Sequence, residues 1–295
     1  MKHSIKEWVL ATRPWSFTAS AMPVLVSAAW LFAQDESVNW WLVFAALINI
    51  VLVHAAGNVW SDYHDFRSGV DNANTYGTKN LTSGLFTPQE ALRLSVGLNI
   101  VAVILGCTIV ALTGLTLLWI GIIGIALSLL YPPLKYHALG DIVIIFCYAI
   151  LPMIGTTFIA NGTIHWDVLW MAPPVGLITV AILHSNNTRD IETDSDANIT
   201  TFASLTGRPV AVGIYIAEIT IPYLWLTALC ATGVTPWWVL ITFLSIPLSL
   251  RNIRSIADYK KGSIESMALL DTTTAQLQLV FSLLLIIGLS LSQLL

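Results

Sequence analysis

The sequence predicts an all-α protein that crosses a membrane about nine times and forms a single domain over residues 1–295. Three observations predict it. Hydrophobic residues make up 56% of the 295-residue chain and charged residues 10%, against roughly 25% charged in soluble domains, and the mean hydropathy is +0.76. The apolar residues gather into runs near the roughly 17–25 residues that a bilayer-spanning helix requires. All 13 lysines and arginines fall into alternate connections between those runs. A chain of this kind has the lipid bilayer as its partner, and no nucleic-acid partner is expected.

The runs lie at 15–32, 40–60, 94–112, 115–131, 142–160, 168–185, 209–231, 235–250 and 274–295. The first follows Lys2, Lys6 and Arg13, as a secretory signal would, but Pro14, Pro23 and Trp30 suit a retained helix better than a cleavage region. Basic residues recur at Arg67, Lys79 and Arg93, at Lys135, at Arg189 and Arg208, and at Arg251, Arg254, Lys260 and Lys261. The connections at 34–39, 113–114, 161–167 and 232–233 carry none. By the positive-inside rule the N-terminus is expected in the cytoplasm and the C-terminus outside. Pro173 and Pro174 are expected to break the sixth run and widen a cavity, since helix breaks are tolerated where neighbours or water satisfy the freed carbonyls. Cys107, Cys147 and Cys230 sit in apolar runs without metal-ligand spacing and read as buried small hydrophobes.

Two polar stretches interrupt this pattern: Asn58-Val-Trp-Ser-Asp62-Tyr-His-Asp65 and Asn187-Thr-Arg-Asp190-Ile-Glu-Thr-Asp194. On a helix, steps of three and four residues place Asn58, Asp62 and Asp65 on one face, and likewise Asn187, Asp190 and Asp194. Carboxylates so spaced repel one another and call for a strong cationic partner. A hard divalent cation fits, magnesium above all, which takes one or two carboxylates and completes its shell with waters and substrate phosphate oxygens. Both stretches lie at cytoplasmic helix ends, so they can face each other across one cavity. The long polar segments at 61–92 and 188–208 that contain them have the length of functional loops. Such a cluster beside Arg67, Lys79, Lys135 and Arg189 is matched to a diphosphate, and the neighbouring Leu, Ile, Phe and Trp to a long hydrocarbon.

These stretches, together with Tyr131-Pro-Pro-Leu-Lys135, resemble the UbiA superfamily of intramembrane aromatic prenyltransferases over nearly the whole chain. The resemblance implies an all-α fold of nine helices around a central cavity with a cytoplasmic cap. Ala11-Thr-Arg-Pro-Trp-Ser, the second stretch and Asp271-Thr-Thr-Thr-Ala-Gln-Leu-Gln look most like the 1,4-dihydroxy-2-naphthoate prenyltransferases of menaquinone synthesis, placed in a bacterial inner membrane. Implied by the same resemblance are Mg2+ ligands at Asn58, Asp62, Asp65, Asp190 and Asp194, with the four aspartates catalytic. A polyprenyl diphosphate would meet Arg67, Lys79 and Lys135, with Arg13 a weaker contact and Asp71 a further acidic position. Many relatives carry a Gly-Lys pair after the second stretch, where this chain reads Asp196-Ala-Asn198-Ile199; a phosphate contact from that lysine must be absent or supplied elsewhere.

Other residues keep two readings. Tyr131 either anchors at the interface or makes a polar contact beside Lys135. Asn187 belongs to the stripe and to the substrate-binding set; Arg189 either touches substrate or pairs with a carboxylate. His54 and His184 read as satisfied helix histidines rather than general bases. Glu218, in the middle of the seventh run, is a functional-site candidate by default, or a protonated group bonded to another helix. A 4-hydroxybenzoate prenyltransferase is the nearest alternative within the family, and a cation transporter the alternative in another class.

Overall fold

A computed structural model describes residues 3–71, 79–260 and 264–294. Among the described residues nine helices are long and apolar enough to cross a membrane, and there is no strand. They are α1 (Pro14–Ala33), α2 (Trp40–Arg67), α3 (Pro88–Thr113), α4 (Thr116–Lys135), α5 (Gly140–Asn161), α6 (Trp166–Arg189), α7 (Arg208–Ala231), α8 (Trp237–Tyr259) and α9 (Glu265–Leu294). A short helix, Ile5–Ala11, precedes them, started by a capping box between Ser4 and Glu7.

Several helices run past the apolar runs of the sequence. Hydropathy marks where lipid ends, whereas a cap marks where a helix ends. Helix α3 starts at Pro88 because Thr87 accepts from the Glu90 backbone N–H at 3.3 Å and Glu90 accepts from that of Thr87 at 2.8 Å. Arg93 therefore lies within a helix, as do Arg251 and Arg254 on α8, not in loops as the runs suggested. Lys2 and Lys261 lie outside the described residues.

The bundle has two unlike halves. Trp30 of α1, Met171, Val175 and Ile178 of α6, Tyr215 and Ile219 of α7, and Phe281 and Leu285 of α9 form one packed core, each at most 2% exposed. Helices α8 and α9 approach so closely that a side-chain carbon on Gly288 would meet the Trp238 carbonyl oxygen at 2.5 Å, so only glycine fits there. In contrast, only 11% of the apolar windows of α3 and α4 is buried within the protein. These helices wall a cavity on one side and offer their other side to lipid.

Prolines shape the cavity wall, though not where the sequence suggested. Pro173 and Pro174 occupy the first turn of the α-helical part of α6, where a missing N–H costs nothing, and neither lines the cavity. Pro133, near the end of α4, cannot donate to the Leu129 carbonyl, which accepts instead from Trp60 Nε1 at 3.1 Å. Pro152 follows a π-helical turn, Phe146–Ile150, which carries Cys147 and Tyr148 into the cavity lining. Of the three cysteines only Cys230 is buried; Cys147 is half-buried and Cys107 exposed, both on the cavity. The expectation of three buried cysteines is corrected accordingly, because their apolar runs wall a void.

The second polar stretch is not one helix. Helix α6 ends at Arg189, Asp190 stands at the junction with φ −94° and ψ 11°, and a separate helix covers Ile191–Asp196. Aspartate competes with the backbone for hydrogen bonds and favours such ends. The turn is kept continuous by the Asp194 N–H on the Asp190 carbonyl at 2.8 Å.

Candidate active site

One large cavity, of about 820 Å³, opens among α2–α6. Its apolar part is walled by residues such as Val53, Ile120, Ile125, Ile144 and Leu151. Its polar end gathers Arg13, Asn58, Asp65, Asp71, Tyr131, Lys135, Asn187, Arg189, Asp190 and Asp194 from segments far apart in the chain. Sequence reasoning singled out every one of these. It gave no role to Asp271, which also lines the cavity.

Asp65, on the last turn and a half of α2, is the hub of the first stretch. It accepts from Tyr136 Oη at 2.6 Å, from Lys135 Nζ at 3.4 Å and from Ser61 Oγ at 3.4 Å. Its own carbonyl accepts the Asp71 N–H at 3.1 Å, which folds the chain after α2 back over the site. Tyr136 is a partner that sequence reasoning missed; its one signal was its place directly after Lys135 in the turn between two spans. Asn58 donates to the Thr12 carbonyl at 2.9 Å and to Ser16 Oγ at 3.0 Å, which ties α2 to the chain entering α1.

Asp62 departs from the expected stripe. Its carboxylate pairs with the Arg13 guanidinium, and Arg13, rather than Asp62, reaches the cavity. Arg13 holds a left-handed backbone, φ 56° and ψ 59°, immediately before Pro14, a conformation that costs a non-glycine residue roughly 1–2 kcal/mol. Arg67 and Lys79, expected to contact a diphosphate, are exposed and do not line this cavity.

Across the cavity Arg189 grips Asp190 with two hydrogen bonds of 2.7 Å, the carboxylate-pairing reading of that arginine. The turn after Lys135 is clamped to the chain beyond the second stretch by the Ala138 N–H on the Thr200 carbonyl at 2.8 Å and the Thr200 N–H on the Tyr136 carbonyl at 3.2 Å. Both acidic stretches thus share Lys135 as a neighbour. His54 is held by Ser16 and Ser20, at 3.3 and 3.0 Å, and reads as a satisfied helix histidine.

Electrostatics show what the polar end lacks. The lining carries five carboxylates, Asp65, Asp71, Asp190, Asp194 and Asp271, against Arg13, Lys135 and Arg189. Burial, then the neighbouring Asp65 and Asp62, pushes the Asp71 carboxyl up to about 6. Burial pushes Asp194 up to about 7, with Asp190 and Asp65 adding to it against the pull of Lys135. Burial alone would lower the Arg13 pKa, but Asp62, Asp71 and Asp65 more than reverse this and keep it charged. Asp194 Oδ2 is buried without a hydrogen-bond partner, and a buried acceptor left so costs roughly 1–3 kcal/mol. Oxygen donors only, an excess of negative charge and an unsatisfied carboxylate oxygen fit a hard divalent cation such as magnesium.

Comparison with known proteins gives the same direction. A model described as the UbiA prenyltransferase family matches residues 20–263. A Gallus gallus protein named UbiA prenyltransferase domain-containing protein 1 is 32% identical over 291 residues, covering 97% of this chain and 85% of that protein. The 1,4-dihydroxy-2-naphthoate octaprenyltransferase of Bacillus subtilis (strain 168) is 30% identical over 290 residues, covering 97% of this chain and 92% of its own length. Among solved structures, an apo UbiA homolog from Aeropyrum pernix K1 superposes with TM-score 0.63 at 17% identity, over 90% of this chain and 95% of that one. A UbiA homolog from Archaeoglobus fulgidus bound to GPP and Mg2+ gives TM-score 0.59 at 12% identity, over 95% and 99%.

Proposed function

The chain belongs to the UbiA prenyltransferase family, and from that premise we propose that it transfers a polyprenyl group from an isoprenyl diphosphate to 1,4-dihydroxy-2-naphthoate, releasing diphosphate and carbon dioxide and giving the quinol form of demethylmenaquinone. The observation that carries this reading is the single cavity whose acidic and cationic end continues into an apolar wall, because only a lipid-linked diphosphate satisfies both surfaces at once. The acceptor rests on the name of the Bacillus subtilis relative; the vertebrate relatives' name specifies none. A cation transporter fits neither the family nor a polar cluster confined to one end.

Asn58, Asp65, Asp190 and Asp194 would hold Mg2+, with Asp62 joining them on release from Arg13. The metal would supply charge to the diphosphate oxygens as the leaving group departs. Lys135 and Arg13 bind the remaining phosphate charge, and Arg189 sets the orientation of Asp190. The apolar wall excludes water, which would otherwise intercept the allylic carbon. As the carbon–oxygen bond to diphosphate breaks, the electron-rich ring attacks that carbon at its carboxyl-bearing position. The carboxylate leaves as carbon dioxide, its bonding pair returning to the ring, and aromaticity is restored. An oxygen of Asp194 not engaged by metal would take the acceptor's hydroxyl proton and return it to the product's oxygen.

Supplying dihydroxynaphthoate labelled at its carboxyl carbon tests this. Labelled carbon dioxide should appear in step with prenylated product. Product that keeps the label, or turnover with 4-hydroxybenzoate alone, would reassign the acceptor and leave the prenyltransferase class intact.

The same reading sets the protein in a bacterial inner membrane, with its site on the cytoplasmic side, the N-terminus inside and the C-terminus outside. In a background without the three native cysteines, Ser83→Cys and Ser195→Cys should react with an impermeant maleimide only from the cytoplasm, and Thr163→Cys only from outside. All three positions are exposed. Labelling of Thr163→Cys from the same side as the other two would reject the orientation.

A further inference from the structure

On α6, one turn before the second acidic stretch, three titratable side chains from three spans converge outside the cavity lining. His184 of α6 is fully buried, and its Nδ1 lies 3.3 Å from Asp141 Oδ2 of α5 and 3.7 Å from Glu218 Oε1 of α7. One atom from each of the three groups lies within 4.8 Å of the others. The His184 Nε2–H donates to the Ala211 carbonyl at 3.1 Å. With that proton fixed, a neutral imidazole turns its Nδ1 lone pair toward two carboxylates, whereas an imidazolium would donate its Nδ1–H to them. Three electron-rich atoms at this spacing need a positive charge between them. None comes from a lysine or arginine, since His184 is the ion-pair partner of both acids among the described residues. Glu218 is 7% exposed, and its Oε2, like Asp141 Oδ1, has no hydrogen-bond partner.

We propose that Asp141, His184 and Glu218 form a second metal centre, separate from the oxygen-rich end of the cavity, that takes a divalent ion of the zinc class. Two carboxylates and a neutral imidazole carry the charge that one dication cancels. An imidazole nitrogen in the set selects against magnesium and calcium and toward zinc and its transition-metal neighbours. A metal-bound histidine characteristically donates its other ring N–H to a carbonyl or carboxylate, as His184 does to Ala211. The Asp141 side chain remains 14% exposed, which leaves a way in for the ion and room for a water as fourth ligand. The centre is a positioning site. It pins α5, which begins five residues after Lys135, to α6, which ends in Asn187 and Arg189, and so fixes the distance between the two halves of the phosphate-binding end.

Metal content of the purified full chain tests this, after stripping with chelator and dialysis against micromolar zinc in millimolar magnesium. One zinc per chain should be retained, and lost in both His184→Ala and the isosteric Glu218→Gln, while Asp190→Ala keeps it. Cobalt in place of zinc should give wild-type visible bands of low-symmetry coordination that Glu218→Gln lacks. Zinc should also raise the thermal midpoint of the wild type and not that of Glu218→Gln. A wild-type chain that retains no zinc would overturn the proposal and leave protons, with a charged His184, holding the cluster. A full equivalent retained by Glu218→Gln, or lost in Asp190→Ala alone, would overturn it as well.

Discussion

Asp65→Asn should lower kcat/KM for the prenyl diphosphate by about 10²- to 10³-fold with the protein still folded, in the range seen when one preorganised charge-stabilising group is removed. The amide can still accept from Tyr136, now 2.6 Å away, and occupies the same volume, but it would contribute no charge to the proposed Mg2+ and none to Lys135. Asp65→Ala should lose as much activity and some stability besides, because Tyr136 and Lys135 would then face an empty buried site. Steady-state rates at saturating magnesium, set beside thermal midpoints, separate the two effects. Wild-type turnover by Asp65→Asn would remove this carboxylate from the metal set, whatever the alanine variant does.

Which of these relations a sequence can express depends on how local their cause is. Asn58 and Asp65 were legible because the helix repeat alone brings them to one side, and the nine spans because each is a local excess of apolar residues. Asp62 was not, since its partner Arg13 reaches it through a left-handed backbone turn before α1 that no side-chain pattern encodes. The second stretch read as one helical stripe, but a helix end at Arg189 resets the phase, and Asp190 and Asp194 reach the cavity from two elements. Arg67 and Lys79 were assigned by charge and family pattern; their exposure is set by where the chain after α2 turns, which charge does not determine. The Asp141, His184 and Glu218 cluster was least legible of all, since its members are 43 and 34 positions apart and only the lone carboxylate within an apolar run hinted at it.

The packing asymmetry bears on the substrate's length. Helices α1, α6, α7 and α9 form a core with fully buried side chains, whereas the cavity wall of α3 and α4 includes Gly106, Gly121 and Gly124, which contribute no bulk. A hydrocarbon chain in the cavity would therefore lie between a densely packed core on one side and lipid-facing helices on the other. On the function proposed above, a longer prenyl tail would extend between α3 and α4, and the donor's affinity would be set at the polar end.

Lys135→Ala should therefore act on the donor and spare the acceptor. Lys135 bonds Asp65 at 3.4 Å and lines the cavity between the two acidic stretches. Its ammonium lies at the polar end that the proposed function gives to the diphosphate, and a charge-assisted hydrogen bond of this kind contributes roughly 1.5–3 kcal/mol. At 1.4 kcal/mol per factor of ten, KM for the prenyl diphosphate should rise by about 10- to 100-fold, with inhibition by inorganic pyrophosphate weakened in parallel. The KM for the aromatic acceptor should stay within about twofold, since an interaction confined to the donor does not enter acceptor binding. Lys135→Arg, which keeps the charge, should recover part of the loss. A defect confined to the acceptor, or equal inhibition of wild type and Lys135→Ala by pyrophosphate, would take Lys135 out of the phosphate site and leave its bond to Asp65 as a structural clamp between α2 and α4.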